Sequence, residues 1–226
     1  MNNQTIISFF VSLLLCITTH SYADTNIYSW RVSDLARSPV EDIKLRNQQD
    51  RVIKTVSAKQ MVYLYTAMGS ISKASETNAD FLVVDGTPAN AFAGYTENGA
   101  NFIAINFAML DILNTNMDMI AALLGHELAH LKLNHGEISK KNLEQNRGKD
   151  FSAASTRYSR DNEREADYLG TIWAVESGYD PEGAVALQEA LYAQSKKTAT
   201  MSFNISHPSG IERITILKSL VRRLSN

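Results

Sequence analysis

The chain of 226 residues is 44% hydrophobic and 20% charged, with 11 Gly, 4 Pro and one Cys. That composition leaves enough apolar sequence for a core and excludes collagenous, low-complexity and disulfide-scaffold classes. With 22 Lys and Arg against 24 Asp and Glu, the net charge is −2, so no overall positive field would draw nucleic acid to it.

Residues 5–19, TIISFFVSLLLCITT, form an uncharged apolar run, shorter than the ~20 residues a spanning helix needs. Ser21 and Ala23 follow it with the small-residue spacing of a secretory cleavage site. The expectation is a signal peptide over residues 1–23 and one domain over 24–226, exported to a periplasm with 226 − 23 = 203 residues. Cys16, the only cysteine, would leave with the signal, and the mature chain would carry no thiol. A lipid anchor through Cys16 is the alternative, against which the bulky Leu15 before it argues. After residue 23 no uncharged apolar stretch is long enough to span a bilayer.

From Asn47 to Glu76 the apolar residues Val52, Ile53, Val56, Leu64, Met68 and Ile71 fall mostly three or four apart, which predicts one long amphipathic helix. Phe81 to Val84 is a short strand stopped by the turn sequence Asp85-Gly86-Thr87-Pro88. Two further strands, Asn90 to Tyr95 and Asn101 to Phe107, predict a small sheet of hairpin type. Thr115-Asn116-Met117-Asp118 has the form of a capping box and opens the helix MIAALLGHELAHLKL, which ends near Asn134-His135-Gly136. His135 reads there as a helix-end residue favourable to the dipole. The polar residues 137–156 read as a solvated connection or a lid. Helical patterns resume at Asn162 to Glu176, Pro181 to Gln194 and Ile211 to Leu224.

His126-Glu127-Leu128-Ala129-His130 lies inside the best-defined of these helices. Positions four apart differ by only ~40° around a helix, so both imidazoles leave one face and can converge on one ion, zinc by the preference of neutral imidazole. Glu127 lies ~100° round, beside that ion, where a general base belongs. A catalytic zinc site takes three protein ligands and leaves a position open. Glu163 and Asp167, four apart at the head of the next helix, offer the third: one carboxylate can bind the metal while the other orients a ligand imidazole. Glu165 points elsewhere.

HELAHLKLNHG, YSRDNEREADYLG and SHPSGIERI together resemble the gluzincin family of zinc metallopeptidases that contains the CAAX prenyl endopeptidase, the HtpX-type membrane proteases and the BepA-like periplasmic proteases. The resemblance covers about residues 80 to 217. It implies an α+β, mainly helical, zincin-like fold with a small antiparallel sheet and an active-site helix. It implies one Zn²⁺ per chain held by His126, His130 and Glu163, with Glu127 activating water, Asp167 supporting a ligand histidine, and Arg213 behind the ligands. His207 becomes the candidate donor to the oxyanion, or a resting ligand that keeps the enzyme latent. Asn90, Ala91, Phe92 and Ala93 match the edge strand that receives substrate, although Phe92 alone reads as a core aromatic.

The function expected is a zinc-dependent endopeptidase of the cell envelope acting on unfolded or misfolded exported polypeptides, with envelope proteins as partners and no role for nucleic acid. The competing expectation is a non-catalytic, zinc-stabilised, chaperone-like module, for which a degraded HExxH would be the sign. Glu127 is intact.

Overall fold

All the described strands lie in the first half of the chain, and five of the seven described α-helices lie in the second. The computed structural model describes residues 28–96, 98–145, 151–198 and 210–224. Its strands are β1 (Ser29–Arg31), β2 (Ile43–Arg46), β3 (Val52–Val56), β4 (Asp80–Val84), β5 (Ala91–Tyr95) and β6 (Asn101–Asn106). Its helices are α1 (Ala58–Ser75), α2 (Phe107–Leu113), α3 (Met117–Lys132), α4 (His135–Gln145), α5 (Phe151–Glu176), α6 (Glu182–Thr198) and α7 (Ile211–Leu224). The architecture is mainly helical α+β with a small sheet beside a buried HExxH helix, as a zincin-like fold requires.

The long helix expected from Asn47 is shorter at its start. Residues 43–56 form the antiparallel β2–β3 hairpin, and the helix begins only at Ala58. Local hydrogen bonding decides this against the helical spacing. Asn47 Oδ1 accepts from the backbone of both Gln49 and Arg51 at 3.0 Å, Asp50 takes a left-handed φ of 59°, and the Ser57 hydroxyl caps α1 by accepting from Gln60 N at 3.1 Å. The β-branched run of β3 then packs Val56 into the core instead of onto a helix face.

The main sheet has the order β1-β4-β6-β5. β1 pairs with β4 and β5 with β6 antiparallel, so the expected hairpin is the β5–β6 pair, while β4 meets β6 in parallel. Asn106 fixes that arrangement. Its Nδ2 donates to Pro88 O at 2.6 Å and its Oδ1 accepts from Asn90 N at 3.0 Å, so the chain after β4 crosses the end of β6 and enters β5 on its far side. The interior strands β4 and β6 are apolar almost throughout, as strands covered on both faces are.

α3 is the axis of the helical half and contacts α1, α5, α6, β5 and β6. Apart from His130, its side chains from Met119 to Leu131 are buried, which a helix enclosed on all sides requires. Where it crosses α5, Gly125 faces Gly170. A Cβ on Gly125 would lie 2.5 Å from Gly170 O, and one on Gly170 would lie 2.5 Å from His126 N. Only glycine at both positions allows this approach.

The polar residues expected to be a solvated connection are largely helical. α4 runs to Gln145 and α5 starts at Phe151, well before Asn162. Lys, Glu, Gln and Leu favour helix without needing a buried stripe, so the weak apolar pattern understated the helix. Residues 146–150 lie outside the described residues. α6 and α7 fall where the periodicity places them.

Candidate metal centre

α3 carries His126, Glu127 and His130, and α5 carries Glu163, Glu165 and Asp167. The Asn116 side chain caps α3 by accepting from Met119 N at 3.0 Å. The paired glycines let the two helices approach within reach of short side chains.

The Nε2 atoms of His126 and His130 are 3.1 Å apart. Glu163 Oε2 lies 3.4 Å from the first and Oε1 lies 3.4 Å from the second. Ligands held tetrahedrally at ~2.0–2.1 Å from zinc stand ~3.3–3.4 Å from one another, so these donors have the spacing and the chemistry of a zinc site. Among the described residues they form the group that could hold a metal ion.

The remaining atoms of these side chains are tied as well. His126 Nδ1 faces Asp167 Oδ1 at 3.0 Å, which leaves the Nε2 lone pair aimed at the cluster. Arg213, from α7, donates through Nε to Asp167 Oδ2 at 2.8 Å and through Nη2 to Asp167 Oδ1 at 2.6 Å. Its Nη1 lies 2.8 Å from Glu163 Oε2. All four of these residues are buried.

Burial disfavours charge on the His126 ring. Hydrogen bonds to Asp167 and Glu163, together with their negative charges, outweigh it and push the imidazole up to about 10. Burial likewise pushes the Asp167 carboxyl up, but the Arg213 charge and its bonds to Arg213 and His126 hold it below the usual carboxylate range. For Arg213 burial is again the opposing influence, overcome by Asp167, Glu163 and Glu127, so the guanidinium is held more firmly charged than usual. Three carboxylates, Glu127, Glu163 and Asp167, thus face one guanidinium in this buried region, an imbalance that favours a further positive charge.

Glu127 is 1% exposed. With His126 it borders a pocket lined by Ala91, Ala122, Leu123, Leu187, Gln188 and Leu191. Ala91 belongs to β5, so the end strand of the sheet reaches the mouth of the centre. Asn90 and Ala91 face this end of the sheet, through the Asn106 contact and the pocket respectively. Phe92 points to the other face and packs edge-on against Phe102, ring centroids 6.0 Å apart. Ala93 pairs with Ile103 in the β5–β6 ladder. His207 lies outside the described residues.

The contacts of His135 were missed by the sequence reading, whereas Glu165 stands away from the His126–His130–Glu163 group as expected. His135 is buried, with its Nδ1 2.9 Å from His130 Nδ1 and its Nε2 3.2 Å from Glu165 Oε2. The helix-end description of His135 therefore omits its main contacts, and Glu165 turns away from the metal cluster onto that ring. In a continuous helix, His135 would stand about 140° round from His130 and point away. The break at Asn134, with φ 53°, brings it back. Helical spacing carries no signal for that turn.

An HExxH helix crossed by a second helix that brings a glutamate to the same point defines a metallopeptidase centre. The chain belongs to peptidase family M48, whose family model matches residues 73–146 and 149–221. Members of that family are zinc-dependent peptidases, so the protein is a metallopeptidase of the hydrolase class. No match to the chain is found among curated proteins.

Proposed function

We propose that this metallopeptidase is a zinc-dependent endopeptidase of the cell envelope that cleaves unfolded or misfolded exported polypeptides. The reading is carried by one coincidence: a buried Glu127 borders both the His126–His130–Glu163 cluster and a pocket that touches the end strand β5. One zinc ion per chain, held by those three residues, would supply a Lewis acid and lower the pKa of a water towards ~7. Glu127 takes the proton from the attacking water and returns it to the leaving amine. Asp167 and Arg213 hold the ligands in orientation. His207 is assigned, by resemblance, the hydrogen bond to the oxyanion.

β5 ends the sheet, and among the described residues no strand pairs with its outer side. An extended peptide laid along Asn90 to Ala93 would bond through its main chain, which folded proteins cannot offer and unfolded ones can. The aliphatic part of the pocket, Ala91, Ala122, Leu123, Leu187 and Leu191, would then meet a substrate side chain and favour an apolar one. Likeness to the CAAX, HtpX and BepA-like branch, a signal peptide over residues 1–23 and a periplasmic catalytic domain over 24–226 complete the proposal. Among the described residues no helix is long and apolar enough to cross a membrane.

The test is zinc content by elemental analysis together with casein cleavage, with and without a chelator. Wild type is expected to bind zinc and produce fragments that the chelator abolishes, while Glu127→Gln keeps zinc and produces none. Full activity in Glu127→Gln removes the proposed base. Zinc binding and casein retention without fragments in the wild type would favour the non-catalytic, chaperone-like module.

A further inference from the structure

His130 presents two nitrogens to two different neighbourhoods. Its Nε2 faces His126 and Glu163, while its Nδ1 lies 2.9 Å from His135 Nδ1. A neutral imidazole carries one proton, and a nitrogen that offers its lone pair to a cation leaves that proton on the other. With Nε2 as the ligand atom, His130 must carry hydrogen on Nδ1 and donate it to His135. His135 Nδ1 must then be bare to accept. Its own hydrogen is thereby placed on Nε2, 3.2 Å from Glu165 Oε2, a carboxylate oxygen that can only accept when ionised. Every atom in the row Glu165–His135–His130 has one role consistent with its neighbours.

We infer that His135 and Glu165 form a positioning relay that fixes the tautomer and the ring angle of His130, as Asp167 does directly for His126. The inference rests on the reading of His126, His130 and Glu163 as metal ligands. The two ligand histidines are thus supported unequally: one by a buried carboxylate clamped by Arg213, the other by a carboxylate acting through an intervening ring. His135 is not a further ligand, because it contacts the edge of His130 opposite the cluster. Its side chain is 5% exposed whereas that of Glu165 is 65% exposed. Water can replace Glu165 as acceptor but cannot readily enter between the two rings, so His135 matters more.

The experiment measures affinity for Zn²⁺ by chelator competition, with Co²⁺ absorption as a spectroscopic check on ligand geometry. Removing a partner of a ligand histidine costs about 10–100-fold in metal affinity. His135→Ala is expected to lose affinity in that range and to alter the Co²⁺ spectrum. Glu165→Ala should lose less, under ~10-fold for so exposed an acceptor. His135→Gln, whose amide oxygen can accept from His130 Nδ1, should recover most of the loss, and Glu165→Gln should resemble wild type. A role confined to packing would not rank the variants by hydrogen-bonding capacity.

Nitrogen-15 NMR of the zinc-loaded wild type supplies a reading that needs no variant: His135 should be neutral, protonated on Nε2 and bare on Nδ1. A His135 protonated on Nδ1, or on both nitrogens, overturns the relay. So does unchanged Zn²⁺ affinity in His135→Ala while wild type binds normally, which leaves the metal site itself standing. Wild-type protein that takes up no Zn²⁺ removes the metal reading and the relay with it.

Discussion

Arg213 shows how much of the centre depends on a residue that belongs to neither of its two helices. Its fork holds Asp167 with two bonds and reaches Glu163 with the third, inside a region closed to water. Truncation would leave two buried carboxylates without their cation, and breaking a buried pair in this way costs about 3–5 kcal/mol. Arg213→Met is therefore expected to lose about that much stability in urea unfolding with chelator present, so that zinc does not stand in for the lost charge. Arg213→Lys should recover only part of it, because an ammonium cannot reproduce the planar double bond to Asp167. At the same scale, Glu163→Ala should lose stoichiometric zinc by elemental analysis, since two imidazoles alone make a poor site. His126 with His130, and Glu163 with Asp167, could be set on shared helix faces from the sequence, because four-residue spacings project to one face whatever the rest of the chain does. Which carboxylate joins the histidines was implied only by the family resemblance. His135 could not be placed in this way, because its direction depends on a backbone turn at Asn134 that no side-chain spacing encodes.

Among the elements, the crossing of α3 and α5 sets the geometry of the centre. Gly125 and Gly170 meet backbone to backbone one residue from His126, so any side chain there must push the helices apart. Overpacking a tight contact costs about 1–3 kcal/mol, and more where backbone must move. Gly125→Ala and Gly170→Ala are each expected to lower stability by at least ~1 kcal/mol in urea unfolding. They should also weaken Zn²⁺ binding in chelator competition, although neither residue has a polar side chain. A stability loss with unchanged zinc affinity would mean that the ligands follow their helices less rigidly than the contact implies. Sequence pattern identified α3 by its cap and continuous apolar run, and α6 and α7 by their periodic apolar residues. It misassigned β3, whose β-branched residues happen to place Val52, Ile53 and Val56 at helical intervals, and it offered no element for residues 43–46. The Asn47 turn and the Ser57 cap, both short-range polar contacts, settle that segment.

For the molecule as a whole, zinc and folding should be linked. The three side chains that could hold the ion, His126, His130 and Glu163, come from two separate helices, with Arg213 on a third packing behind them, and an unfolded chain has no such site. A ligand that binds only the native state adds ~2.7 kcal/mol when its concentration is 100 times its Kd. Thermal unfolding is expected to shift upward with added Zn²⁺ and downward with chelator, and His130→Ala should abolish both shifts. The sheet order was the part of the global arrangement least visible in advance. Parallel pairing of β4 with β6 is imposed by where Asn106 anchors the intervening chain, and such non-local choices leave little trace in composition or spacing.

The placement of Arg213 also has a consequence in time. A ribosome makes His126, His130 and Glu163 before it makes Arg213, so a growing polypeptide holds these side chains while the guanidinium clasp is still missing. Until α7 docks, Asp167 and Glu163 lack their counter-charge. The centre therefore reaches its final arrangement late in biogenesis, when the helix carrying Arg213 has packed into place.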